Sequence, residues 1–322
     1  MDKLIYNPDS GPGYERRRKG KGFCYYYRKK RIKNKKKIAW IKSLKIPPAW
    51  EDVWIATKKN SHLLATGRDK KGRKQYIYHE RWVEVHKQKK FDNLFEFGKN
   101  LPKIRRTVEK NLQQKKLSKK KVISAIIRIM DETHLRIGNE RYAEINHSYG
   151  ITTLRRKHID LLGEDVKIEF TGKSGIKRQV LIHDKEIADF IRNLVHIPGY
   201  EVFKYYDNGI KKNIESIKVN EFLEKITGNH FTSKDFRTWA GTRYAAEFFL
   251  KEKKNKKKKR IKEVVEKVSN VLGNTPAIAK EYYIHPKIIE AYEKEHIYRA
   301  RPFFKQEKML DPVERIVLSV IK

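Results

Sequence analysis

Four short stretches of the 322-residue chain hold side chains suited to phosphate chemistry. The first is Arg136 in Arg-Ile-Gly-Asn-Glu-Arg-Tyr, directly after an apolar run of helical spacing. A guanidinium there can complement the negative end of a helix, or its planar fork can grip two phosphate oxygens. The second is Gly172-Lys173-Ser174, which lies between 166–170 and 178–182, two runs that read as hairpin strands. It is not a nucleotide-binding loop, because that pattern needs a further glycine at the position where Lys167 stands. Gly20-Lys21-Gly22 likewise lacks the third glycine of a dinucleotide fingerprint, so neither motif supports a nucleotide cofactor. The third is Thr232-Ser233-Lys234-Asp235, the hydroxyl-x-x-acid form of a helix start. It puts Lys234 and Arg237 beside free amide groups that already favour an anion. The fourth is Leu272-Gly273-Asn274-Thr275-Pro276, where one helix closes at the glycine and another opens with Thr275 as cap. That second helix bears Ile278, Lys280, Tyr282 and Tyr283 before His285-Pro286 stops it. A phenol, with an unperturbed pKa of about 10, attacks phosphorus readily only where neighbouring cations ease formation of phenolate. Taken singly, each stretch has an ordinary reading as a solvated lysine, a capping arginine or a core tyrosine.

The elements that must position these groups change character along the chain. Residues 15–45 are densely basic, with Tyr25, Tyr26 and Tyr27 interleaved, a mixture suited to phosphate and base contact or, before Gly22, to a disordered arm. Ile38–Ile41, Ile46–Trp50 and Val53–Ala56 read as short strands broken by proline. His62–Thr66 and Gln75–Tyr78 read as two more, joined by a glycine- and cation-rich turn that faces an anion. A boundary is expected at 86–92, beyond which helices dominate. Phe91–Leu112 and Val122–Leu135 have helical spacing, the second with Val122, Ile123, Ile126, Ile127 and Met130 on one face. The one expected interruption is the hairpin around Lys173, and a lysine-rich run at 251–260 leads into a further amphipathic helix.

Composition narrows the partners. Lys and Arg number 76 against 39 Asp and Glu, a formal charge of +37 that a folded chain tolerates best against a polyanion. Nucleic acid is therefore the leading partner. No stretch approaches the roughly 18 apolar residues of a membrane span, and Met1–Ser10 lacks a signal-peptide core, so the expectation is a cytoplasmic protein off the membrane. A single cysteine, Cys24, and scattered histidines argue against a disulfide framework or a protein-bound metal.

In their order, the four stretches resemble the small type IB DNA topoisomerases of poxviruses and bacteria, members of the tyrosine recombinase and topoisomerase superfamily. The segment Gly-Arg-Asp-Lys-Lys-Gly-Arg-Lys-Gln-Tyr-Ile-Tyr at 67–78 is similar to the same family's DNA-contacting region, and the likeness runs from Pro47 to Pro286. The resemblance implies an α+β chain, with a small β-rich DNA-binding domain over 1–88. A larger, mainly helical catalytic domain with a small hairpin sheet would follow over 89–322, the two closing as a C-shaped clamp on duplex DNA. It further implies that Tyr283 attacks the phosphodiester to form a 3′-phosphotyrosyl link, with Tyr282 structural. Arg136 and Arg237 would hold the nonbridging oxygens, Lys173 would protonate the leaving 5′ oxygen assisted by Lys234, and Asn274 would donate to a phosphate oxygen. Arg68, Lys74, Gln75, Tyr76 and Tyr78, with Tyr142 in the second domain, would contact DNA. Relaxation would need neither ATP nor an obligatory metal, and no small-molecule cofactor is expected. A monomer acting in a bacterial nucleoid or a viral factory is implied. Two rivals stand beside this reading. A tyrosine recombinase would place histidine where Lys234 stands and a helical domain at the amino terminus, and a non-catalytic nucleic-acid-binding protein would leave the whole set idle.

Overall fold

A computed structural model describes residues 3–20, 22–251 and 257–322, without the side chains of 86–90 and 257–258. Lys21 of the Gly-Lys-Gly motif and residues 252–256 of the lysine-rich run therefore lie outside the described residues. The chain divides into two compact units, Met1–Lys90 and Phe91–Lys322.

In the first unit, β1 (Gly13–Lys19), β2 (Gly22–Tyr27) and β3 (Lys30–Arg31) precede a helix, α1 (Lys35–Ser43). Three further strands follow: β4 (Glu51–Ala56), β5 (Leu63–Arg68) and β6 (Lys74–Tyr78). They form one six-stranded sheet in the order β3-β2-β1-β4-β5-β6, in which Tyr14 pairs with both Tyr27 and Ile55. Tyr14, Tyr25, Val53, Ile55 and Ala65 bury one sheet face with Ile41 of α1. The amino-terminal basic run is thus a paired strand rather than a disordered arm. Arg16 shows why so cationic a segment holds its place, for it donates to the carbonyls of Ile46 at 3.2 Å, Pro47 at 3.0 Å and Trp50 at 2.6 Å. Its guanidinium also lies 4.2 Å over the Phe23 ring, so the charge stitches β1 to the loop before β4. Ile38–Ile41, expected as strand, is helical: Asn34 caps α1 by accepting from the Lys37 amide at 3.0 Å. Residues 46–50 form no strand, because consecutive prolines remove the amides a ladder needs.

The long helix α2 (Glu80–Leu112) is followed by α3 (Lys119–Thr133) and α4 (Glu140–Asn146). Next come β7 (Ile159–Leu162), β8 (Asp165–Thr171) and β9 (Lys177–Ile182), an antiparallel sheet, then α5 (Lys185–Val195). A ribbon of β10 (Lys204–Asp207) and β11 (Ile210–Asn213) leads to α6 (Ser216–Thr227), α7 (Ser233–Lys251) and α8 (Lys257–Leu272). The chain ends with α9 (Pro276–Tyr282), α10 (Pro286–Glu293) and α11 (Pro312–Ile321). The expected face of α3 is buried throughout, from Val122 to Met130. The β10–β11 ribbon corrects the expectation of a single hairpin. Its turn, Asn208-Gly209 with φ of 49° and 78°, is the left-handed pair that tight hairpins require. Among the described residues no helix is long and apolar enough to cross a membrane.

A buried ionic knot fastens the helix that carries Arg237. Arg105 of α2 donates to Asp131 of α3 at 2.7 Å and to Glu314 of α11 at 2.8 Å. Trp239 of α7 donates to the same Glu314 at 2.8 Å. Removing one partner of such a group strands the other's charge in the interior, at a cost of about 3–5 kcal/mol.

Candidate active site

Three loops and one helix bring the candidate residues together in the second unit. α3 ends at Thr133, two residues before the sequence suggests, and is capped by His134, whose left-handed backbone (φ 56°) directs its amide to the Met130 carbonyl. The following segment is held by a 3-10 turn at Ile151–Thr153: the Ile151 amide donates to the Arg136 carbonyl at 2.9 Å and the Thr152 amide to Ile137 at 2.7 Å. This fixes the backbone of Arg136, whose Nη2 donates to Asn274 Oδ1 at 2.5 Å.

Arg237 enters from the beginning of the second turn of α7. That helix opens as the sequence indicates, with the Thr232 amide and hydroxyl both donating to Asp235 Oδ2, at 2.7 and 3.0 Å. Arg237 is only 4% exposed, and its fork donates to the carbonyls of His134 and Leu272 and, at 3.5 Å, to Asn274 Oδ1. Its guanidinium carbon lies 5.2 Å from the centroid of the Tyr283 ring. Burial, then the neighbouring charge of Arg136, push its pKa below the usual guanidinium range. It nonetheless stays charged at neutral pH.

Asn274 sits where α8 ends and α9 begins, its amide donating to the Ser269 carbonyl at 2.9 Å, and Thr275 caps α9 ahead of Pro276. Tyr283 closes α9 and is half-buried. Its backbone is held against α7 one turn beyond Arg237, where Thr242 Oγ1 donates to the Tyr283 carbonyl at 3.2 Å. Gly241 makes room for it, since a Cβ there would fall 2.5 Å from the Tyr283 carbonyl oxygen and 2.9 Å from its Cβ.

Arg136, Arg237, Asn274 and Tyr283 therefore converge. Two of their donors are unspent: Arg237 Nε and Asn274 Nδ2 are buried and have no hydrogen-bond partner among the described residues. Such groups are costly to leave without an acceptor, and phosphate oxygens are acceptors of the kind both lack. The structure does not join Lys173 or Lys234 to this group by any described contact. Both are exposed, Lys173 at the tip of the β8–β9 hairpin and Lys234 on the first turn of α7. Sequence reasoning missed Arg178 of β9, which donates to the Val271 carbonyl at 3.3 Å and whose pKa is lowered by burial and by Arg136. Its only sequence signal was one more cation in an alternating strand.

In the first unit, Lys74, Tyr76 and Tyr78 are the exposed positions of β6, on the sheet face opposite the core residue Ile77. Tyr76 and Tyr78 stack with ring centroids 5.8 Å apart, and Lys74 pairs with Asp9 at 2.5 Å. Gln75 donates to Asp69 at 2.8 Å, and Arg68 to the Gly72 carbonyl at 2.9 Å. Asp69 also accepts from Arg73 and the Lys71 amide, which holds its carboxyl down at about 2. The cationic turn is thus organised around one acid. Tyr142 is exposed on α4, whose cap Asn139 accepts from the Tyr142 amide at 3.2 Å.

Comparison with known proteins identifies this architecture. The sequence model described as "Eukaryotic DNA topoisomerase I, catalytic core" matches residues 79–309, and "Bacterial DNA topoisomerase IB, N-terminal domain" matches residues 22–69. A DNA topoisomerase 1B of Acanthamoeba polyphaga mimivirus is 31% identical, covering 96% of this chain and 94% of the relative. A DNA topoisomerase 1B of Vaccinia virus (strain Copenhagen) is 26% identical over 78% of this chain and 80% of its own. A DNA topoisomerase 1 of Mycosarcoma maydis is 27% identical over 60% of this chain and 21% of its own. The chain belongs to the type IB DNA topoisomerases. It is an isomerase that relaxes supercoiled DNA by transient cleavage and religation of one strand, through a 3′-phosphotyrosyl intermediate. Neither the recombinase nor the non-catalytic reading is favoured by these relatives.

Proposed function

We propose that Tyr283 is the nucleophile of this reaction and that Arg136, Arg237 and Asn274 hold the scissile phosphate. The Tyr283 oxygen bonds to phosphorus as the phenol gives up its proton to solvent water, and the bond from phosphorus to the 5′ oxygen breaks. The Lys173 ammonium, assisted by Lys234, supplies the proton that the departing oxygen takes up. Religation runs the same steps backward, with the 5′ hydroxyl displacing the phenol, so no ATP is consumed. The observation that carries this reading is the pair of buried, unpartnered donors, Arg237 Nε and Asn274 Nδ2, in the group that also contains the phenol. Phosphoryl transfer asks a protein chiefly for positioning and for donors aimed at the transition-state oxygens.

The exposed positions of Lys173 and Lys234 suit groups that meet the leaving strand only when DNA is present. We assign the amino-terminal β-rich region to DNA binding, through Arg68, Lys74, Gln75, Tyr76 and Tyr78, and the helical region to catalysis, with Tyr142 a further DNA contact. The partner is duplex DNA, engaged by a monomer in the cytoplasm of a bacterium or in a viral factory. The test is plasmid relaxation in chelator without ATP. Wild-type protein relaxes the plasmid, and Tyr283→Phe binds DNA but leaves it supercoiled; a fully active Tyr283→Phe enzyme would refute the assignment.

A further inference from the structure

Lys173 has no described fastening of its own, yet a proton donor must be held at one atom. The hairpin tip is internally stiff: the Gly172 amide donates to the Ile176 carbonyl at 2.8 Å and the Gly175 amide to Gly172 at 3.1 Å. Whatever anchors the start of β9 therefore anchors Lys173. Arg178 pairs across the ladder with Phe170, and its Cγ lies 3.4 Å from the position a Cβ on Gly172 would take. From there its side chain reaches the turn that carries Asn274. Nη2 donates to the Val271 carbonyl, and the guanidinium lies over Gly273, where a Cβ would fall 2.1 Å from Nη1 and 2.9 Å from Cζ. Gly273 is favoured by its positive φ of 60°, and its lack of a side chain lets Arg178 lie over the turn.

Among the described residues no carboxylate pairs with Arg178, which lies near Arg136 and Arg237. A guanidinium in that company is electrostatically unfavourable until an anion arrives. A leucine could fill the same space without that penalty, so the fork's reach is what the position uses.

We propose that Arg178 is a positioning residue for strand cleavage: it ties the hairpin carrying Lys173 to the turn carrying Asn274, and so holds the proton donor at the departing 5′ oxygen. This rests on the assignment of Lys173 above. Misplacing a catalytic group by about 1 Å can cost on the order of 10²-fold in rate, and that is the loss expected for Arg178→Ala.

The experiment is single-turnover cleavage of a duplex containing a mapped cleavage site, with either oxygen or sulfur at the 5′ bridging position. A thiolate leaves without protonation, so sulfur removes the need for an acid. Arg178→Ala and Lys173→Ala are each expected to be slow on oxygen and to return close to the wild-type rate on sulfur. Recovery on sulfur also shows that the variant is folded. If Arg178→Ala stays slow on sulfur while Lys173→Ala recovers, Arg178 acts on the phosphate or on DNA binding and the proposal is overturned. Unimpaired cleavage of the oxygen substrate by Arg178→Ala overturns it too. If Lys173→Ala itself fails to recover, the assignment of the acid has failed, and that arm alone reports it. Should Arg178→Ala not fold, Arg178→Lys, which keeps the charge but loses the fork, is judged by the same comparison.

Discussion

At the scale of single residues, Asn274 is the most constrained member of the site. Its side-chain oxygen accepts from both arginines, which leaves its amide nitrogen as the donor with nothing to hold. Asn274→Ala withdraws one donor from the phosphate and the shared acceptor from two guanidinium groups. Cleavage should slow by about 10²–10³-fold, the usual loss for one donor aimed at developing charge. A covalent-complex assay under single-turnover conditions reads this directly, and an unchanged rate would show that the amide does not reach the phosphate. The turns that carry Arg237 and Asn274 were legible in the sequence, because their capping signals are local: Thr232 to Asp235, and Gly273 to Pro276. Arg178 was not legible, since its role depends on a contact between β9 and the end of α8 that no local pattern encodes.

At the scale of elements, α7 does two jobs on one face, presenting Arg237 and, one turn later, seating Tyr283. Gly241 is the price of that closeness. Alanine is the better helix former by about 1 kcal/mol, but its Cβ would collide with the Tyr283 backbone. Gly241→Ala is therefore expected to reduce cleavage by about 10²-fold while DNA binding, measured by gel shift, stays the same. Equal cleavage rates would mean that the tyrosine backbone has slack the close contact denies. Element type was read correctly where the periodicity is long, as in α3, and wrongly at Ile38–Ile41. There a four-residue apolar run suits either period, and the Asn34 cap decides the outcome. The β10–β11 ribbon was readable in principle from Asn208-Gly209, but its strands are short and cationic and lack the apolar alternation that marks a strand.

At the scale of the whole molecule, the buried His158 and His285 and the half-buried His134 link stability to pH. His134, His158 and His285 are each pushed down to about 4, chiefly by burial. Two of them use a ring nitrogen as an acceptor, His158 from the Arg155 amide and His285 from the Lys287 amide, both at 3.1 Å. Unfolding returns them to about 6.5, so between pH 6.5 and 4 the unfolded chain binds more protons than the native one. Their contribution is fully present above pH 6.5 and falls as the pH drops towards 4, by up to about 1.4 kcal/mol per pH unit for each histidine. The guanidinium chloride midpoint should therefore decline between pH 7 and 5, and less steeply in His285→Gln. A midpoint independent of pH over that range would contradict the burial of these rings.

Relaxation by this enzyme depends on the phenol of Tyr283, and not that of its neighbour Tyr282, carrying the broken strand. The direct measurement is to trap the covalent complex on a nicked or suicide duplex, digest it with nuclease and protease, and locate the residual nucleotide by mass spectrometry. A 3′-nucleotide is expected on Tyr283 alone. A nucleotide on Tyr282, or on any other side chain, would contradict it.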